Sequence, residues 1–366
     1  MLEIKQTETH QAGSIFGQIT KMDHEQLMIC QDEATGLKAL IAIHNTILGP
    51  ALGGTRMWPY ATEEEAITDV LRLSRGMTFK NALAGLNLGG GKAVIIGDPK
   101  LKNEAFMRRF GRFVESLSGR YVTAEDVNMK TSDMEFIAME TRHVAGLPEI
   151  KGGAGDPSPV TGYGVYMGMK AAAKKAFGSD DLSGKKIGVQ GVGQVGKYLI
   201  EYLIKEGAEV LITDIFQEKL MEVARATGAQ AVDPNVIYDL QMDIYAPCAL
   251  GATINDETID RLKCAVIAGG ANNQLKDEEK HGKLLMQKGI VYAPDFLINA
   301  GGVINVGMEY LGGYNREIVF QQTEKIYDTC IQILNKSEAE NIPAQQAAIE
   351  TAKARIESMG RVKLPF

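Results

Sequence analysis

The pattern of apolar and polar positions divides the first part of the chain into alternating strand-like and helix-like segments. Residues 26–45 hold two apolar runs around the turn-like DEATG, which predicts two neighbouring strands. A helix is expected from Thr62, because TEEE opens an apolar run with helical spacing and Glu65 stands where a capping box needs it. The alternation continues through strand-like AVIIGD (93–98), a helix over 103–117 and strand-like YVTA (121–124). The first ~145 residues therefore predict one α/β domain.

A Gly- and Pro-dense stretch at 146–159 interrupts this pattern, as a domain boundary does. After it, a helix leads into the strand KKIGVQ, the loop GVGQVG, an amphipathic helix and a second strand, EVLITD, which form a βαβ unit. Three more strand-like segments follow, namely IYAP (244–247), AVIAGG (265–270) and IVYAP (290–294). The pattern predicts a doubly wound parallel sheet over about 155–300, and two helical stretches, about 303–336 and 344–358, close the chain.

The expected fold class is α/β with two domains. The 366 residues exceed the ~150 of a typical single domain. The first domain is expected to comprise 1–145 and about 336–366, and the second, a Rossmann-type doubly wound domain, 146–335.

Charge and composition narrow the function. Acidic residues exceed basic ones by 46 to 39, and no basic tract occurs, so a nucleic-acid partner is not expected. The polar N-terminus and the lack of a run of ~18 apolar residues argue against secretion and a membrane partner. Four scattered cysteines and five scattered histidines offer no metal site and no disulfide framework. A cytoplasmic protein without a metal is expected.

The loop of the βαβ unit predicts a dinucleotide site. It reads Gly191, Val192, Gly193, Gln194, Val195 and Gly196. Its glycines allow a tight turn and bring the helix N-terminus to a pyrophosphate. Asp214 ends the second strand, where a carboxylate accepts both ribose hydroxyls and repels a 2′-phosphate. The expected cofactor is NAD.

Three segments of the first domain combine glycine with charged residues: GPALGGTR (49–56), RGMTFKNALAGLNLGGGK (75–92) and TAEDVN (123–128). Lys80 and Lys92 lie in one of them, and Lys92 follows three glycines that would bring backbone close to a ligand. Asp126 ends a strand-like segment, where open α/β sheets bind ligands. These three residues are candidates for a substrate site.

Together these segments, with GDPSPVTGYGVY, APCALG and INAGGVINV, resemble the amino-acid dehydrogenases of the glutamate/leucine/phenylalanine/valine group over about 25–316. The resemblance implies that Lys80 binds the substrate α-carboxylate, Lys92 is the catalytic lysine and Asp126 transfers protons. It implies that the backbone of Gly53 and Gly54 lines the substrate.

The same resemblance assigns the remaining contacts. Thr161 is expected near the nicotinamide amide and Asn273 on the cofactor side. The substrate side chain is expected against four apolar residues, Leu52, Ala124, Val303 and Val306. One departure is Asn128, where many relatives have glycine. The first ~20 residues match nothing in the family. Because the relatives are homo-oligomers, a homo-oligomer, octamer or dimer, is expected, and the first domain is expected to bind substrate and carry the oligomer contacts.

The implied reaction is reversible, NAD-dependent oxidative deamination of branched-chain L-amino acids to 2-oxo acids and ammonia, leucine first. A closed cleft, a second lysine and the substrate ammonium favour the neutral amine of Lys92, so it can act as a base. An apolar pocket excludes glutamate because a buried, unpaired carboxylate is costly.

Two other functions use the same Rossmann unit. A 2-hydroxy-acid dehydrogenase would carry a His/acid pair and a carboxylate-binding arginine in place of two lysines, and no such pair is found. A regulator without catalysis would keep GVGQVG and lose the lysines or Asp126, yet all three residues are present.

Overall fold

A computed structural model describes residues 14–362, which form two compact units. Within that range, the first unit comprises 14–78 and 87–147, and the second comprises 79–86 and 148–362. The division after Leu147 falls near the expected boundary after residue 145. His10 and the rest of the first 13 residues lie outside the described residues.

The first unit is a sheet between helices. In chain order its elements are α1 (Ile15–Met22), β1 (Gln26–Asp32), β2 (Leu37–Asn45), β3 (Ala51–Leu52), β4 (Thr55–Trp58), α2 (Glu63–Leu83), β5 (Gly89–Ile96), α3 (Glu104–Glu115), β6 (Tyr121–Val122) and α4 (Thr131–Ala138). The last turn of α2 groups with the second unit. The two strands expected in 26–45 are β1 and β2, which pair antiparallel.

The sheet has the order β1-β2-β5-β3-β6, with β4 also paired to β5. Successive side chains of a strand face opposite sides, and both sides of β2 are buried. Ile41 and Ile43 pack with α3 and α4, whereas Leu40 and Ala42 pack with α2. Burial on both faces explains why β2 reads as a nearly continuous apolar run.

Helix α2 begins as its sequence indicates. The Thr62 hydroxyl accepts a hydrogen bond from the Glu65 amide at 3.1 Å. The Glu65 carboxylate in turn accepts one from the Ala61 amide at 3.0 Å. Two amides at the helix start are thereby satisfied, and the acidic first turn suits the positive end of the helix dipole.

The second unit holds a parallel sheet and most of the described helices. Its elements are α5 (Ser158–Phe177), β7 (Lys186–Gln190), α6 (Gln194–Glu206), β8 (Glu209–Thr213), α7 (Gln217–Thr227), β9 (Gln230–Ala231), β10 (Ile244–Pro247), β11 (Val266–Ile267), α8 (Glu278–Gln287), β12 (Val291–Tyr292), α9 (Asp295–Ile298), α10 (Gly301–Leu311), α11 (Arg316–Glu340) and α12 (Ala344–Val362). No described helix is both long and apolar enough to cross a membrane.

The strand order of this sheet is β12-β11-β10-β7-β8-β9, and every pair is parallel. Counted along the unit, that is the 3-2-1-4-5-6 order of a doubly wound dinucleotide-binding sheet. The order reverses between β7 and β10, where such folds bind ligands. The expected fold class, α/β with a Rossmann-type second unit, is confirmed.

The C-terminal helices differ from expectation in two ways. The stretch 303–336 is two helices, because Gly312 and Gly313 adopt left-handed φ angles of +89° and +72° and end α10. Residues 336–362 group with the second unit, whereas they were expected with the first. The physical reason is continuity and packing, since α11 runs unbroken through Lys336, which pairs with Glu350 of α12 at 3.1 Å.

Two buried histidines lie between β2 and α2. The rings of His24 and His44 contact edge to face, 4.7 Å between centroids. His24 Nε2 lies 2.8 Å from the Ser74 hydroxyl and His44 Nδ1 lies 2.8 Å from the Thr78 hydroxyl. Burial lowers the pKa of His24 to about 4 and that of His44 to about 3. Both rings are therefore neutral in the folded protein at neutral pH.

These histidines make the first unit acid-sensitive. Below about pH 6.5 the two histidines bind protons in the unfolded chain, whereas in the folded protein they stay neutral. The free energy of unfolding therefore falls as the pH falls toward 4. Between pH 7.5 and 5.0 the wild type should lose about 4 kcal/mol more than a His24→Gln/His44→Gln variant, about 2 kcal/mol for each histidine. Urea unfolding followed by the fluorescence of Trp58, the only tryptophan in the sequence, measures this. Equal losses in both proteins would refute it.

Candidate active site

The structure brings Lys92 and Asp126 together in the first unit. Lys92 lies within β5, and Asp126 follows β6. The Lys92 ammonium lies 2.9 Å from Asp126 Oδ2, and the lysine side chain is only 7% exposed. A buried ammonium is stable only beside an opposite charge, so each of these residues requires the other. The two candidates form one ion pair next to the glycine-rich strand ends.

Arg56, which the sequence reasoning missed, completes this pair. Its Nε donates to Asp126 Oδ2 at 3.1 Å, the same oxygen that Lys92 contacts. Its Nη1 lies 3.2 Å from Asp69 of α2, and Asp69 also accepts the Tyr60 hydroxyl at 2.5 Å. The sequence signal for Arg56 is its place in GGTR, two residues after Gly54, which with Gly53 was expected to line the substrate.

The charge of Asp126 follows from these neighbours. Burial alone would raise the pKa of its carboxyl, but Lys92 and Arg56 together hold that pKa below its usual value. Asp126 is therefore an anion at neutral pH.

The glycines before Lys92 permit close packing. A Cβ on Gly90 would stand 2.1 Å from the Thr78 amide nitrogen of α2, and one on Gly91 would stand 2.7 Å from the Tyr121 ring. A Cβ on Gly53 would lie 1.8 Å from the Gly91 carbonyl oxygen. Glycine is required because α2, β5 and the turn after β3 approach one another this closely.

Asn128, which stands where many relatives have glycine, lies in the turn that follows Asp126. Asn128 has a left-handed φ of +61°, a conformation open to glycine and tolerated by asparagine. Its side-chain amide donates to the Met57 carbonyl at 3.0 Å, which fixes the turn. Gly54 packs beside this turn, since a Cβ there would lie 3.0 Å from the Asp126 Cβ.

Of the four residues expected to contact the substrate side chain, two belong to the first unit and two to the second. Leu52 and Ala124 are buried in the first unit at the ends of β3 and β6. Val303 and Val306 share one face of α10 in the second unit, Val303 buried and Val306 half-buried. All four are apolar.

Lys80 lies in the last turn of α2, within the part that groups with the second unit. In that unit its charge acts on Asp295, a buried carboxylate at the start of α9. Burial raises the pKa of Asp295, and hydrogen bonds and the Lys80 charge partly offset this. Lys80 therefore belongs to the second unit, whereas Lys92 and Asp126 belong to the first.

The dinucleotide loop has a different role for each glycine. Gly191 has a φ of +106°, and a Cβ on it would lie 2.7 Å from the Ala249 amide nitrogen. Gly196 lies under the turn, with its Cβ position 2.1 Å from the Gly191 carbonyl oxygen. Gly193 faces open space and starts α6 without a side-chain cap. The first amides of α6 are thus left for an anion at that point.

Asp214 lies directly after β8 and already holds this loop. Its Oδ2 accepts the Val192 amide at 2.9 Å and its Oδ1 accepts the Phe216 amide at 3.0 Å. Each carboxylate oxygen keeps a further lone pair for a ribose hydroxyl. Beside this loop, Gln194 is exposed and Val195 packs near Gly270.

The last two expected cofactor residues also lie in the second unit. Thr161 stands in the first turn of α5, where its hydroxyl donates to the Pro157 carbonyl at 2.9 Å. Asn273 is exposed and has a left-handed φ of +52°. Its carbonyl accepts the Ala252 amide at 2.7 Å, so it joins two loops beyond the sheet.

Comparison with known proteins identifies the family. A family model described as "Glu/Leu/Phe/Val dehydrogenase, dimerisation domain" matches residues 24–143. A second, "Glutamate/Leucine/Phenylalanine/Valine dehydrogenase", matches 152–216 and 211–362. The resemblance drawn from the motifs is confirmed.

Relatives and solved structures agree with these matches. The chain is 58% identical to a leucine dehydrogenase of Thermoactinomyces intermedius over 96% of both chains, and 45% identical to an L-tryptophan dehydrogenase of Nostoc punctiforme over 95% and 98%. The crystal structure of L-tryptophan dehydrogenase from Nostoc punctiforme has a TM-score of 0.84 at 44% identity, covering 94% of this chain and 99% of that one. Hetero-hexameric glutamate dehydrogenase of Thermus thermophilus, at 19% identity and TM-score 0.77, covering 98% and 99%, shares the fold.

Close packing at Gly90 predicts a large effect of one methyl group. Gly90→Ala should lower the free energy of unfolding by at least about 2 kcal/mol, because the new Cβ meets backbone that cannot move away. The matched control is Gly76→Ala in α2, where a Cβ meets nothing within 4 Å. It should instead stabilise by about 0.5–1 kcal/mol. Urea unfolding followed by Trp58 fluorescence compares them, and similar effects would contradict this account.

Proposed function

Because the chain belongs to the glutamate/leucine/phenylalanine/valine dehydrogenase family and is an amino-acid dehydrogenase, we propose that it deaminates branched-chain L-amino acids with NAD⁺. L-Leucine, water and NAD⁺ would give 4-methyl-2-oxopentanoate, ammonia and NADH, reversibly. The observation that carries the proposal is the buried Lys92–Asp126 pair at 2.9 Å. A base and a proton carrier within one hydrogen bond are what amine oxidation and imine hydrolysis require.

Each residue of the pair has a defined task. Asp126 accepts a proton from the substrate ammonium and returns one when ammonia leaves. Bound substrate, whose ammonium lies nearby, favours the neutral amine of Lys92. That amine removes a proton from the water that attacks the substrate imine carbon, and from the resulting carbinolamine hydroxyl as the carbonyl forms. Lys92 and Asp126 can exchange these protons directly, since they share a hydrogen bond. Bound NAD⁺ supplies the acceptor for the substrate hydride.

The substrate class follows from apolar surroundings. Leu52 and Ala124 are buried and offer no polar group to a side-chain carboxylate. With Val303 and Val306 they form an apolar set that suits leucine, valine and isoleucine. Lys80 binds the α-carboxylate, and the backbone of Gly53 and Gly54 lines the substrate. Relatives named leucine dehydrogenase, at 56–58% identity, support this choice.

The second unit fits a dinucleotide. An uncapped helix start at Gly193 provides free amides for a pyrophosphate. Asp214 stands at the end of β8 to bind the ribose hydroxyls, and its charge opposes a 2′-phosphate. NAD⁺ is therefore the proposed cofactor, with Thr161 near the nicotinamide amide and Asn273 on the cofactor side.

We further propose a homo-oligomer, an octamer or dimer, in the cytoplasm. The match of 24–143 to a dimerisation domain supports self-association. Strand β1 ends the sheet order, so its outer edge has no partner strand among the described residues, and Ile29 on it is 66% exposed. The four cysteines form no disulfide, in keeping with a reducing compartment.

An NADH-formation assay across aliphatic, aromatic and acidic L-amino acids tests the proposal. Leucine should give the highest kcat/KM, valine and isoleucine should follow closely, and phenylalanine should be ~10- to 200-fold poorer. Glutamate should give no measurable rate. Lys92→Ala and Asp126→Asn should each lower kcat on leucine at least ~100-fold while NADH binding is retained. A preference for phenylalanine or glutamate would overturn the substrate class, and an active Lys92→Ala would overturn the mechanism.

Because a Cβ on Gly193 would face open space, a substitution there should affect NADH binding without affecting the stability of the fold. Gly193→Ala should leave the melting temperature unchanged, because its Cβ meets nothing within 4 Å. It should weaken NADH binding at least ~10-fold, because the methyl group occupies the space proposed for the pyrophosphate. Gly196→Ala is the contrasting variant and should lose stability, since its Cβ meets backbone at 2.1 Å. Fluorescence titration with NADH and thermal unfolding distinguish the two. Unweakened NADH binding by Gly193→Ala would place the cofactor elsewhere.

A further inference from the structure

The guanidinium of Arg56 bridges two carboxylates that belong to different elements of the first unit. Arg56 lies on β4, opposite Val94 of β5, and thus on the face that packs against α2. Its Nε reaches Asp126 at 3.1 Å and its Nη1 reaches Asp69 at 3.2 Å. The bridge uses donors on two separate nitrogens of a planar fork, and a lysine ammonium, with all its donors on one nitrogen, cannot reproduce that geometry.

We propose that Arg56 is a positioning residue for the reaction: it fixes the Asp126 carboxylate and sets the pH at which the Lys92–Asp126 pair becomes active. The proposal rests on the proposed function, in which this pair exchanges protons with the substrate. Arg56 itself contacts no reacting atom in this account.

Arg56 fixes the position of the Asp126 carboxylate. Asp126 Oδ2 receives both Lys92 and Arg56, so the oxygen is held from two directions. Asp69 holds the outer side of the guanidinium and is itself fixed by the Tyr60 hydroxyl at 2.5 Å. The carboxylate is thus tied through Arg56 to helix α2, and the other carboxylate oxygen, Oδ1, stays available for a substrate nitrogen.

Arg56 also acts through its charge on the Lys92–Asp126 pair. Arg56 is a permanent positive charge in contact with that pair. A fixed cation disfavours any additional proton nearby, so the pair loses its proton at lower pH than it would alone. Removing Arg56 must therefore move the acidic limb of the activity profile to higher pH. A purely structural arginine would change the amount of active enzyme and leave the limb in place.

The guanidinium is also reachable from solvent. Arg56, Asp69 and Tyr60 line one open cleft of about 870 Å³ within the first unit, and the Arg56 side chain is 24% exposed. A small cation can enter the space that a truncated Arg56 would leave. This makes replacement of the lost group by free guanidinium an experiment that the structure allows.

The first experiment measures kcat/KM for leucine against pH in the full-length enzyme. Arg56→Gln should move the acidic limb upward by about one pH unit and lower kcat about tenfold. Arg56→Lys keeps the charge but not the two-nitrogen geometry of the bridge, so its limb should stay near that of the wild type while kcat falls several-fold. The matched control is Arg72→Gln, an arginine lining the same cleft, which should keep both kcat and the limb. An Arg56→Gln profile that coincides with the wild type would overturn the proposal.

The second experiment covers the case in which Arg56→Gln folds poorly. Arg56→Ala should regain activity at least severalfold in millimolar guanidinium chloride, well below denaturing concentrations, and not in equal NaCl. No regain in a folded Arg56→Ala protein would overturn the proposal. Asp126→Asn distinguishes failure of the proposed function from failure of the proposed role of Arg56. If it keeps wild-type kcat, the proposed function fails; if it is inactive while Arg56→Gln behaves as wild type, only the role of Arg56 fails.

Discussion

The first unit depends on one constraint, the burial of a lysine ammonium beside a carboxylate. Lys92 is almost fully enclosed within β5, and Asp126 is its counter-charge. Burying such a pair contributes little to stability, but leaving either partner alone costs several kcal/mol. The surroundings of the pair therefore have to be rigid. Arg56, the Asn128 turn and the glycines around β5 each hold one side of it.

Glycine makes this rigidity possible by allowing backbone to contact backbone. Gly90 admits helix α2 at Thr78, and Gly53, in the turn after β3, admits β5 at Gly91. The side chains that would normally separate these segments are absent, so the strand ends and helix approach to contact distance. Asp126 then reaches a lysine that lies in the middle of a strand, and Arg56 reaches Asp126. The same positions leave no room for substitution.

In the second unit, glycines shape the loop at the start of α6. Reversal of strand order between β7 and β10 leaves a crevice at the carboxyl ends of the strands. Gly191 turns the chain, Gly196 lets α6 pack under that turn, and Gly193 keeps the helix start open. Asp214 secures the loop by accepting the Val192 amide. A rigid, uncapped helix start results, which suits an anionic ligand.

The sequence by itself determined the parts that are local or repeated. Period-two and helical spacing predicted the α/β class, the capped start of α2 and the parallel sheet around GVGQVG, because burial and capping act over a few residues. Its motifs also indicated the family and selected Lys92 and Asp126. Only the tertiary structure decided which groups meet. The Arg56 bridge to Asp69 and Asp126 joins residues 13 and 70 positions apart, and no spacing rule covers such contacts. The structure also showed that the glycines before Lys92 pack against α2 and Tyr121, and that the C-terminal helices group with the second unit. These outcomes depend on distance in space, which strand order and helix packing set and local pattern does not.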